Sequence, residues 1–327
     1  MANIREILAI PFGWILSFFY MLTGNYLLSL FILTLIFKVV MLPSSIKQQK
    51  GSAKQVRLQA KTKKIQEMYK GDSKRIQEET TALYRREGFN PMSSGCAPLL
   101  IQMPVMLGLY GVIYSPLTHV LRMAPATIQR LVDGLHTLNI DLGSRLQLQQ
   151  QIVILDKFGE LKNIIELAPS IVAEVERFIT AFNLWGMNLT KTPSYPWQWS
   201  AMIEEGLMDP QDKILLLIPI LSLVTSMMSA VFMYIKQLQT NPEAAKNPAT
   251  GCMTLFSPLL SVYFTFLFPA GVGMYWIMSN VLAFVQTVIL SLTHSPKKII
   301  AEIMIEETIE RRSREKSLKI TKEYLNQ

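Results

Sequence analysis

The chain has 327 residues and a net charge of +8, half of its residues are apolar, and only 17% are charged. Soluble domains carry about 25% charged residues, so this composition argues against a disordered chain and against an ordinary soluble protein. Two uncharged stretches, 214–235 and 272–292, are each long enough to cross a hydrocarbon core of about 30 Å. The sequence therefore predicts an all-α polytopic membrane protein.

The distribution of charge predicts the topology of the chain. In a soluble protein the positive net charge would suggest a nucleic-acid partner, but no specific DNA partner is expected here. Residues 44–90 hold 12 Lys/Arg against 5 Asp/Glu, which is typical of a cytoplasmic loop. Residues 116–212 hold 7 Lys/Arg against 11 Asp/Glu and are predicted to be external. The segment 294–327 holds 8 Lys/Arg against 6 Asp/Glu and is predicted to be cytoplasmic.

The N-terminal segment is apolar and rich in aromatic residues. Its Pro11, its aromatic side chains and the absence of a small-residue cleavage site after it argue against a signal peptide. We expect an interfacial amphipathic helix that lies along the membrane surface. A sixth membrane span at this place is the alternative.

Hydropathy and turn residues predict five membrane spans, with the N terminus outside and the C terminus inside. The spans lie near 26–42, 97–115, 214–235, 253–268 and 272–292. The predicted order of segments is an interfacial helix (1–24), the first span (25–43, ended by Pro43), a cytoplasmic helical hairpin (44–92), the second span (97–115), an external helical region (116–212), spans three to five (213–292) and a basic cytoplasmic helical tail (293–327).

The segments outside the membrane also read as helices. The cytoplasmic hairpin is predicted to break at Gly71–Asp72. The external region is predicted to hold helices near 127–138, 144–167 and 169–183, followed by a turn-rich part with Trp185, Trp197 and Trp199. In the tail, 297–325 should form a solvated helix because opposite charges recur four residues apart, as in Glu307–Arg311, Glu310–Arg314 and Glu315–Lys319.

Lys38 is the one Lys, Arg, Asp, Glu or His residue within the predicted spans. A central lysine costs about 2.5–3.5 kcal/mol on insertion, which the 12 Leu, Ile, Phe and Val residues of 26–42 outweigh. Lys38 either reaches the cytoplasmic surface along its apolar stem or faces a wet cavity and offers a positive charge to a passing ligand.

Polar residues on other spans favour the cavity. Four hydroxyl residues recur at i, i+3, i+4 and i+7 on the third span, and further polar and aromatic residues cluster on the fifth. Each hydroxyl taken alone is as well explained by helix–helix packing. The candidate groove residues are Lys38, Thr34, Gln102, Ser222, Thr225, Ser226, Ser229, Tyr275, Trp276, Ser279 and Asn280, with Gln286 and Thr287 on the same side of the fifth span.

Catalytic and metal-binding patterns are absent from the sequence. It contains no G-x-x-x-x-G-K-[ST], H-E-x-x-H or G-x-S-x-G motif, and its three histidines are scattered. Cys96 and Cys252 both precede predicted spans on the basic side, so no disulfide is expected. We therefore predict that the chain is not an enzyme and uses no cofactor or metal.

Three stretches resemble the YidC/Oxa/Alb family of membrane protein insertases. They are Lys38–Pro43 (KVVMLP), 82–104 (ALYRREGFNPMSSGCAPLLIQMP) and the last hairpin, with Phe268–Gly271 (FPAG) and Tyr275–Asn280 (YWIMSN). The likeness covers about 26–115 and 184–292. The stretch near 122–183 has no recognisable counterpart and looks like an insertion of external helices.

The resemblance implies a hydrophilic groove within the bacterial cytoplasmic membrane, open to the cytoplasm and to lipid and closed outside. It implies nascent membrane proteins as substrates, capture by the cytoplasmic hairpin, ribosome contact through the basic tail and the hairpin, and the Sec translocon as a further partner. The family's usual groove charge is arginine, and Lys38 keeps that charge without the planar donor fork.

Two other functions stay open at this point. The chain could be a channel or secondary transporter for a small anionic solute, with Lys38 as its site, although no inverted repeats are visible. It could also be an assembly chaperone that only packs helices together.

Overall fold

A computed structural model describes residues 4–90, 97–140, 149–184, 187–193, 210–240 and 248–325, and these are almost entirely helical. The elements are α1 (Ile4–Thr23), α2 (Tyr26–Val40), α3 (Leu42–Met68), α4 (Ser73–Arg86), α5 (Ala97–Tyr114), α6 (Pro116–His119), α7 (Pro125–Thr137), α8 (Gln150–Asp156), α9 (Phe158–Ile164), α10 (Pro169–Phe182), β1 (Asn183–Leu184), β2 (Met187–Asn188), α11 (Pro210–Leu215), α12 (Leu217–Thr240), α13 (Pro248–Leu267), α14 (Ala270–Thr293) and α15 (Pro296–Leu325). Strands β1 and β2 pair antiparallel, with Asn183 opposite Asn188.

Several helices have the length and composition of membrane spans. Among the described residues, three segments are each long and apolar enough to cross a membrane: Ile4–Thr23, Lys213–Gln239 and Ala270–Thr293. Helices α2 and α3 meet the same requirement when they are taken together as one bent span. Helices α5 and α13 supply the shorter apolar segments Met103–Tyr114 and Pro258–Leu267. The prediction of an all-α membrane protein is confirmed, and the number of five spans stays a prediction.

The helix of the first predicted span breaks just before Pro43. Helix α2 stops at Val40 and α3 begins at Leu42, so Pro43 lies in the first turn of α3 instead of following the helix end. Proline is tolerated in a first turn because the N–H that it lacks would have no partner within the helix. The helix break therefore lies at Met41, two residues before Pro43, and the span boundary at Pro43 stays a prediction.

The structure divides into two compact units. The first comprises Met1–Val40, Ile101–Ile235 and Lys246–Val285, and the second comprises Met41–Leu100, Lys236–Ala245 and Gln286–Gln327. The first contains most of the apolar helices and the external region, and the second contains the hairpin and the C-terminal helix.

In the first unit, α1 contacts segments that the charge pattern places outside. Gly13 lies against His119, Tyr20 packs edge-on against Phe178 at 5.4 Å between ring centroids, and the Arg122 guanidinium lies over the Trp14 ring. Burial lowers the pKa of His119, so it is held neutral against α1. Phe12 of α1 also stacks on Phe37 of α2, with ring centroids 4.4 Å apart, so α1 contacts a predicted span as well as external segments. Its length and composition admit a span, and its interfacial position stays a prediction.

Helices α1 and α5 approach closely because two glycines of α5 lack side chains at the contact. A Cβ atom at Gly108 would lie 2.5 Å from the Phe12 ring, and one at Gly111 would lie 2.5 Å from Ala9 Cβ and 3.0 Å from the Arg5 carbonyl oxygen. Such contacts between small residues are a common way for membrane helices to pack, since they let the backbones come together.

We expect Gly111→Val to separate α1 from α5 and to lower the stability of the purified protein by about 1–3 kcal/mol, as overpacking commonly does. Gly159→Ala is the matched control, since no heavy atom lies within 4 Å of a Cβ atom built there. Thermal unfolding in detergent measures both, and equal Tm values for the two variants would contradict this packing.

The external region forms its own apolar layer within the first unit. Leu131, Leu135, Phe158 and Leu161 are almost fully buried.

The single helix predicted over 144–167 is wrong: within the described residues it is two helices, α8 and α9, which meet at Lys157. Gly159 lies two residues after this break and has low helix propensity, which weakens a continuous helix there. Helix α10 agrees with the prediction over 169–183, and the turn-rich part with Trp185, Trp197 and Trp199 lies outside the described residues.

The external region is attached to the start of α2 and of α14. Tyr26 is fully buried against Phe178 and Phe182, with ring centroids 5.6 and 4.5 Å away. The amide groups of Ala270 and Gly271, in the first turn of α14, donate to the carbonyl oxygens of Lys191 and Leu189 at 2.8 and 3.0 Å. These bonds satisfy amides that have no partner within the helix.

In the second unit, α15 packs along α3. Ile299 is buried, Gln286 Nε2 donates to Ser45 Oγ at 2.9 Å, and Gln49 Nε2 donates to the His294 carbonyl oxygen at 3.4 Å. Gln286 of α14 therefore contacts α3. The sequence analysis placed Gln286 on the groove side of the fifth span and did not predict this contact.

The solvated tail helix is confirmed, because the described side chains from Ala301 to Leu318 are exposed except Ile303, which is half-buried. Its predicted Glu310–Arg314 pair is present at 3.2 Å, and Arg311–Glu315 adds a second pair at 3.6 Å. The Glu307 and Lys319 side chains lie outside the described ones.

The hairpin of α3 and α4 has the predicted break. Gly71 has a φ of 99°, which glycine adopts without steric cost, and the Asp72 carboxylate accepts from the Arg75 amide at 3.0 Å to cap α4. Lys61 of α3 forms an ion pair with Glu87, just beyond α4. The two helices are therefore joined at both ends of α4.

Candidate functional site

Hydroxyl groups of α12 form the centre of the candidate site. Ser222, Thr225 and Ser226 are all buried. The Thr225 hydroxyl donates to the Leu221 carbonyl oxygen and the Ser226 hydroxyl to that of Ser222, each at 2.7 Å. These bonds within the helix satisfy the hydroxyl hydrogens and leave oxygen lone pairs free to accept. The Ser229 hydroxyl is also buried, with no hydrogen-bond partner among the described residues.

Contacts between helices join part of this stripe into a network, which we call the polar network: Ser222, Thr225, Ser261 and Asn280. The Ser222 and Ser261 hydroxyl oxygens lie 3.0 Å apart, linking α12 to α13. Asn280 Nδ2 of α14 lies 3.4 Å from both Thr225 Oγ1 and Ser261 Oγ and donates to them. The structure therefore brings together three of the predicted site residues, which lie on α12 and α14, and joins them to α13 through Ser261.

Two polar residues of α13 were missed by the sequence analysis. Ser261 belongs to the polar network, and Thr265 is buried with its hydroxyl donating to the Val262 carbonyl oxygen at 2.7 Å. The sequence pattern could have identified these residues, because Ser257, Ser261 and Thr265 recur every four residues and share one helix face.

Lys38 and Thr34 lie one turn apart on α2. Lys38 is half-buried, and no carboxylate of the described residues lies within 4 Å of its ammonium group. Thr34 is buried, and its hydroxyl donates to the Leu30 carbonyl oxygen at 2.7 Å. The hydrogen bonds and ion pairs of the described residues do not link either side chain to the polar network, so a shared cavity stays a prediction.

The remaining predicted residues differ in how deeply they are buried. Tyr275 is buried, and Trp276 and Ser279 are half-buried. Trp276 packs against Phe264 of α13, with ring centroids 5.4 Å apart, so it helps to hold α13 and α14 together. Gln102 lies on α5, but its side chain is outside the described ones.

The bond between Ser222 and Ser261 can be measured by a double-mutant cycle of Ser222→Ala and Ser261→Ala. Interhelical hydrogen bonds in membrane proteins average about 0.6 kcal/mol, with a maximum of about 1.7. We expect a coupling energy in this range in the unfolding equilibrium. Ser229→Ala combined with Ser261→Ala is the control and should be additive, because Ser229 has no bond to Ser261. Additivity in both cycles would contradict the polar network.

The hairpin of the second unit carries a separate cleft. It has a volume of about 760 Å³ and lies between α3 and α4, with Thr62, Ile76, Tyr84 and Phe89 among its lining residues. The Thr80 hydroxyl in this lining is buried and has no partner among the described residues. A cleft of mixed apolar and polar character can hold an extended or helical peptide segment.

The described residues include no group of three or more His, Cys, Asp and Glu side chains that could hold a metal ion. The polar network thus offers hydroxyl and amide groups, and aromatic rings lie on the same helices. Such groups can bind and orient a polar segment within an apolar surrounding, where each unbonded polar group would cost several kcal/mol.

Comparison with known proteins agrees with a membrane function. A family model described as the 60Kd inner membrane protein matches residues 18–297. Proteins named membrane protein insertase YidC from Rickettsia prowazekii (strain Madrid E), Rickettsia conorii (strain ATCC VR-613 / Malish 7) and Rickettsia rickettsii (strain Sheila Smith) are each 27% identical over 288 residues. Each comparison covers 85% of this chain and 39% of the relative. The chain therefore spans about two-fifths of the length of these relatives.

Proposed function

This chain belongs to the YidC/Oxa1/Alb3 family of membrane proteins, and we propose that it is a membrane protein insertase and folding chaperone. It accepts nascent hydrophobic segments in a hydrated groove within the membrane, lets short tails cross and releases helices into lipid. The observation that carries this proposal is Lys38, a charged side chain on an apolar helix with no ion-pair partner among the described residues.

The groove lowers the cost of moving a polar tail through lipid. Each unbonded polar group costs several kcal/mol in hydrocarbon, and a charged group costs more. The Lys38 ammonium attracts acidic groups of the tail, while the free lone pairs of the α12 hydroxyls and the Asn280 amide replace bonds to water. The polar network and the unpartnered Ser229 hydroxyl support this role, because they supply such groups within an apolar helix bundle.

Insertion by this route needs no nucleotide hydrolysis. The hydrophobic segment of the substrate gains free energy when it leaves the groove for lipid, at roughly 25 cal/mol per Å² of apolar surface. A tail carrying negative charge also gains from attraction to Lys38 part of the way across. The absence of a nucleotide-binding motif in the sequence fits this account.

The topology of the proposal follows from the charges. The N terminus and the external region lie outside the bacterial cytoplasmic membrane, and the hairpin and the tail lie inside. The packing of Phe178 and Phe182 on Tyr26 supports a groove closed on the outer side, since it covers the start of α2 with aromatic rings.

The hairpin and the tail receive the substrate. The cleft between α3 and α4 captures the nascent segment, and the basic residues of both helical elements favour the ribosome, whose surface is rich in phosphate. The Sec translocon is a further proposed partner.

Site-specific photocrosslinking to ribosome-attached nascent chains tests the proposal. A crosslinker at Ser279, half-buried on α14, should react with the nascent segment during insertion. The same group at Ile289, an exposed position on the same helix, is the control and should react mainly with lipid. Crosslinks from position 279 to folded partner proteins alone would instead indicate an assembly chaperone, and solute-dependent flux without nascent-chain crosslinks would indicate a transporter.

A further inference from the structure

Arg122, in the turn between α6 and α7, is stacked on a tryptophan of α1. Its guanidinium carbon lies 3.8 Å from the centroid of the Trp14 ring. This is close for a cation–π contact, which extends to about 6 Å. The proposed function gives neither residue a role.

The backbone of Arg122 is held in an unusual conformation. Its φ is 52°, in the left-handed region that residues other than glycine rarely occupy. Hydrogen bonds on both sides fix the turn: the Leu121 amide donates to the Pro116 carbonyl oxygen at 3.1 Å and the Met123 amide to that of Leu117 at 2.9 Å. Strained residues of this kind concentrate at functional sites, because the surrounding structure maintains them.

Stacking leaves the hydrogen-bond donors of Arg122 free. The indole covers one face of the guanidinium, whereas the five N–H groups point outward in its plane. Arg122 is exposed, and no carboxylate of the described residues lies within 4 Å of it. Glu6, the acidic residue of the first turn of α1, pairs with Arg5 at 3.8 Å. A planar fork with free donors fits the oxygens of a phosphate group.

The surface beside Arg122 is apolar and exposed. On α1 the large side chains at i, i+3, i+7 and i+11 share one face, and each is at least half exposed: Ile7 (55%), Ile10 (50%), Trp14 (63%) and Phe18 (56%). A face of this kind in a membrane protein contacts acyl chains, and tryptophan prefers the level of the lipid headgroups. Trp14 is the residue at which this apolar face meets the cationic group.

We infer that Arg122 and Trp14 form a binding site for the phosphate of an outer-leaflet phospholipid, whose acyl chains lie along the exposed face of α1. The ligand is identified by two features together: a phosphate for the stacked guanidinium and hydrocarbon for Ile7, Ile10 and Phe18. The site holds α1 at the membrane surface. It does not depend on insertase activity, but its outer-leaflet position rests on the topology of the proposed function.

The test uses the full chain in nanodiscs and measures lipid retention by native mass spectrometry. Phosphatidylglycerol and phosphatidylcholine both carry the phosphate, and digalactosyldiacylglycerol lacks it. We expect the wild-type chain to retain both phospholipids at least threefold better than the glycolipid. Arg122→Asn, which tolerates a positive φ, should abolish this preference. Arg122→Lys keeps the charge without the planar fork and should retain a reduced preference.

Arg130→Gln is the matched control, because Arg130 is an external arginine that already donates to the Glu166 carbonyl oxygen. It should retain the wild-type preference. An unchanged preference in Arg122→Asn would overturn the inference. A preference for phosphatidylglycerol alone would also overturn it, because the site would then read net lipid charge instead of the phosphate. Thermal unfolding of Arg122→Asn should match the wild type, since asparagine fits this turn.

Discussion

Lys38→Glu is expected to reduce the insertion of substrates with acidic external tails at least tenfold, whereas Lys38→Arg should retain it. Reversing the charge replaces attraction by repulsion for every acidic group that passes. Two unit charges 4 Å apart interact by about 4 kcal/mol at the effective dielectric of a protein surface, and about 1.4 kcal/mol already corresponds to a tenfold change. An interaction weakened by salt, by motion of the tail or by a greater distance is therefore still strong enough to change insertion tenfold.

The measurement is membrane insertion in a strain depleted of its own insertase, with acidic-tailed and neutral-tailed versions of one substrate. Lys50→Glu is the matched control, because Lys50 is an exposed lysine of α3 and its reversal changes the net charge equally. Only Lys38→Glu should discriminate against the acidic tail. Full activity of Lys38→Glu on both substrates would show that Lys38 reaches the membrane surface and takes no part in transfer.

Removal of the distal hairpin should abolish insertion while leaving the membrane helices in place. The Lys61–Glu87 ion pair places the two ends of this segment beside each other, so residues 62–86 can be replaced by a short Gly-Ser linker. The contacts of Ser45 and Gln49 with Gln286 and His294 lie outside the deletion, so α15 should still pack on α3. The cleft between α3 and α4 is lost, and with it the proposed capture site.

Growth of the depletion strain and protease mapping of the variant check this result. Growth should fail although the protease pattern of the membrane helices is unchanged. Lys61→Gln is the control for the ion pair alone; an exposed pair contributes about 0–1 kcal/mol, so this variant should grow normally. Normal growth of the deletion variant would show that the hairpin does not capture the substrate.

Features set by local sequence were the ones that could be predicted. The hairpin break at Gly71–Asp72 follows from the conformational freedom of glycine and the capping carboxylate of aspartate, which act within a few residues. The α12 hydroxyl stripe follows from helical periodicity. The start of α10 follows from Pro169, which favours a first helical turn.

The partners of these residues could not be predicted, because they depend on how helices are rotated against one another. Ser222 binds Ser261, a residue that the sequence analysis passed over, and Gln286 binds Ser45 instead of joining the groove. The interruption at Lys157 also depends on context, since the apolar pattern continues through it. Periodicity identifies a polar face but not the helix that covers it.

The α1 segment shows that composition alone does not determine whether an apolar helix spans the membrane. Its length and hydropathy fit a membrane span, and its contacts reach both the external region, at His119 and Phe178, and the apolar helices α2 and α5, at Phe37 and Gly111. Hydropathy measures how much apolar surface a helix has, and both lipid and protein can cover that surface.

Thiol labelling of α2 tests the central claim, that water reaches Lys38 from the cytoplasmic side, most directly. Lys38→Cys and Val40→Cys are made in a chain with Cys96 and Cys252 replaced by serine, and a membrane-impermeant maleimide is added to inverted membrane vesicles. Position 40 is exposed, and two residues of an α-helix turn it about 200° away from position 38 with only about 3 Å of rise, so it contacts lipid in this account. We predict rapid labelling at position 38 and little at position 40. Equal labelling at both positions, or none at position 38, would contradict a hydrated groove.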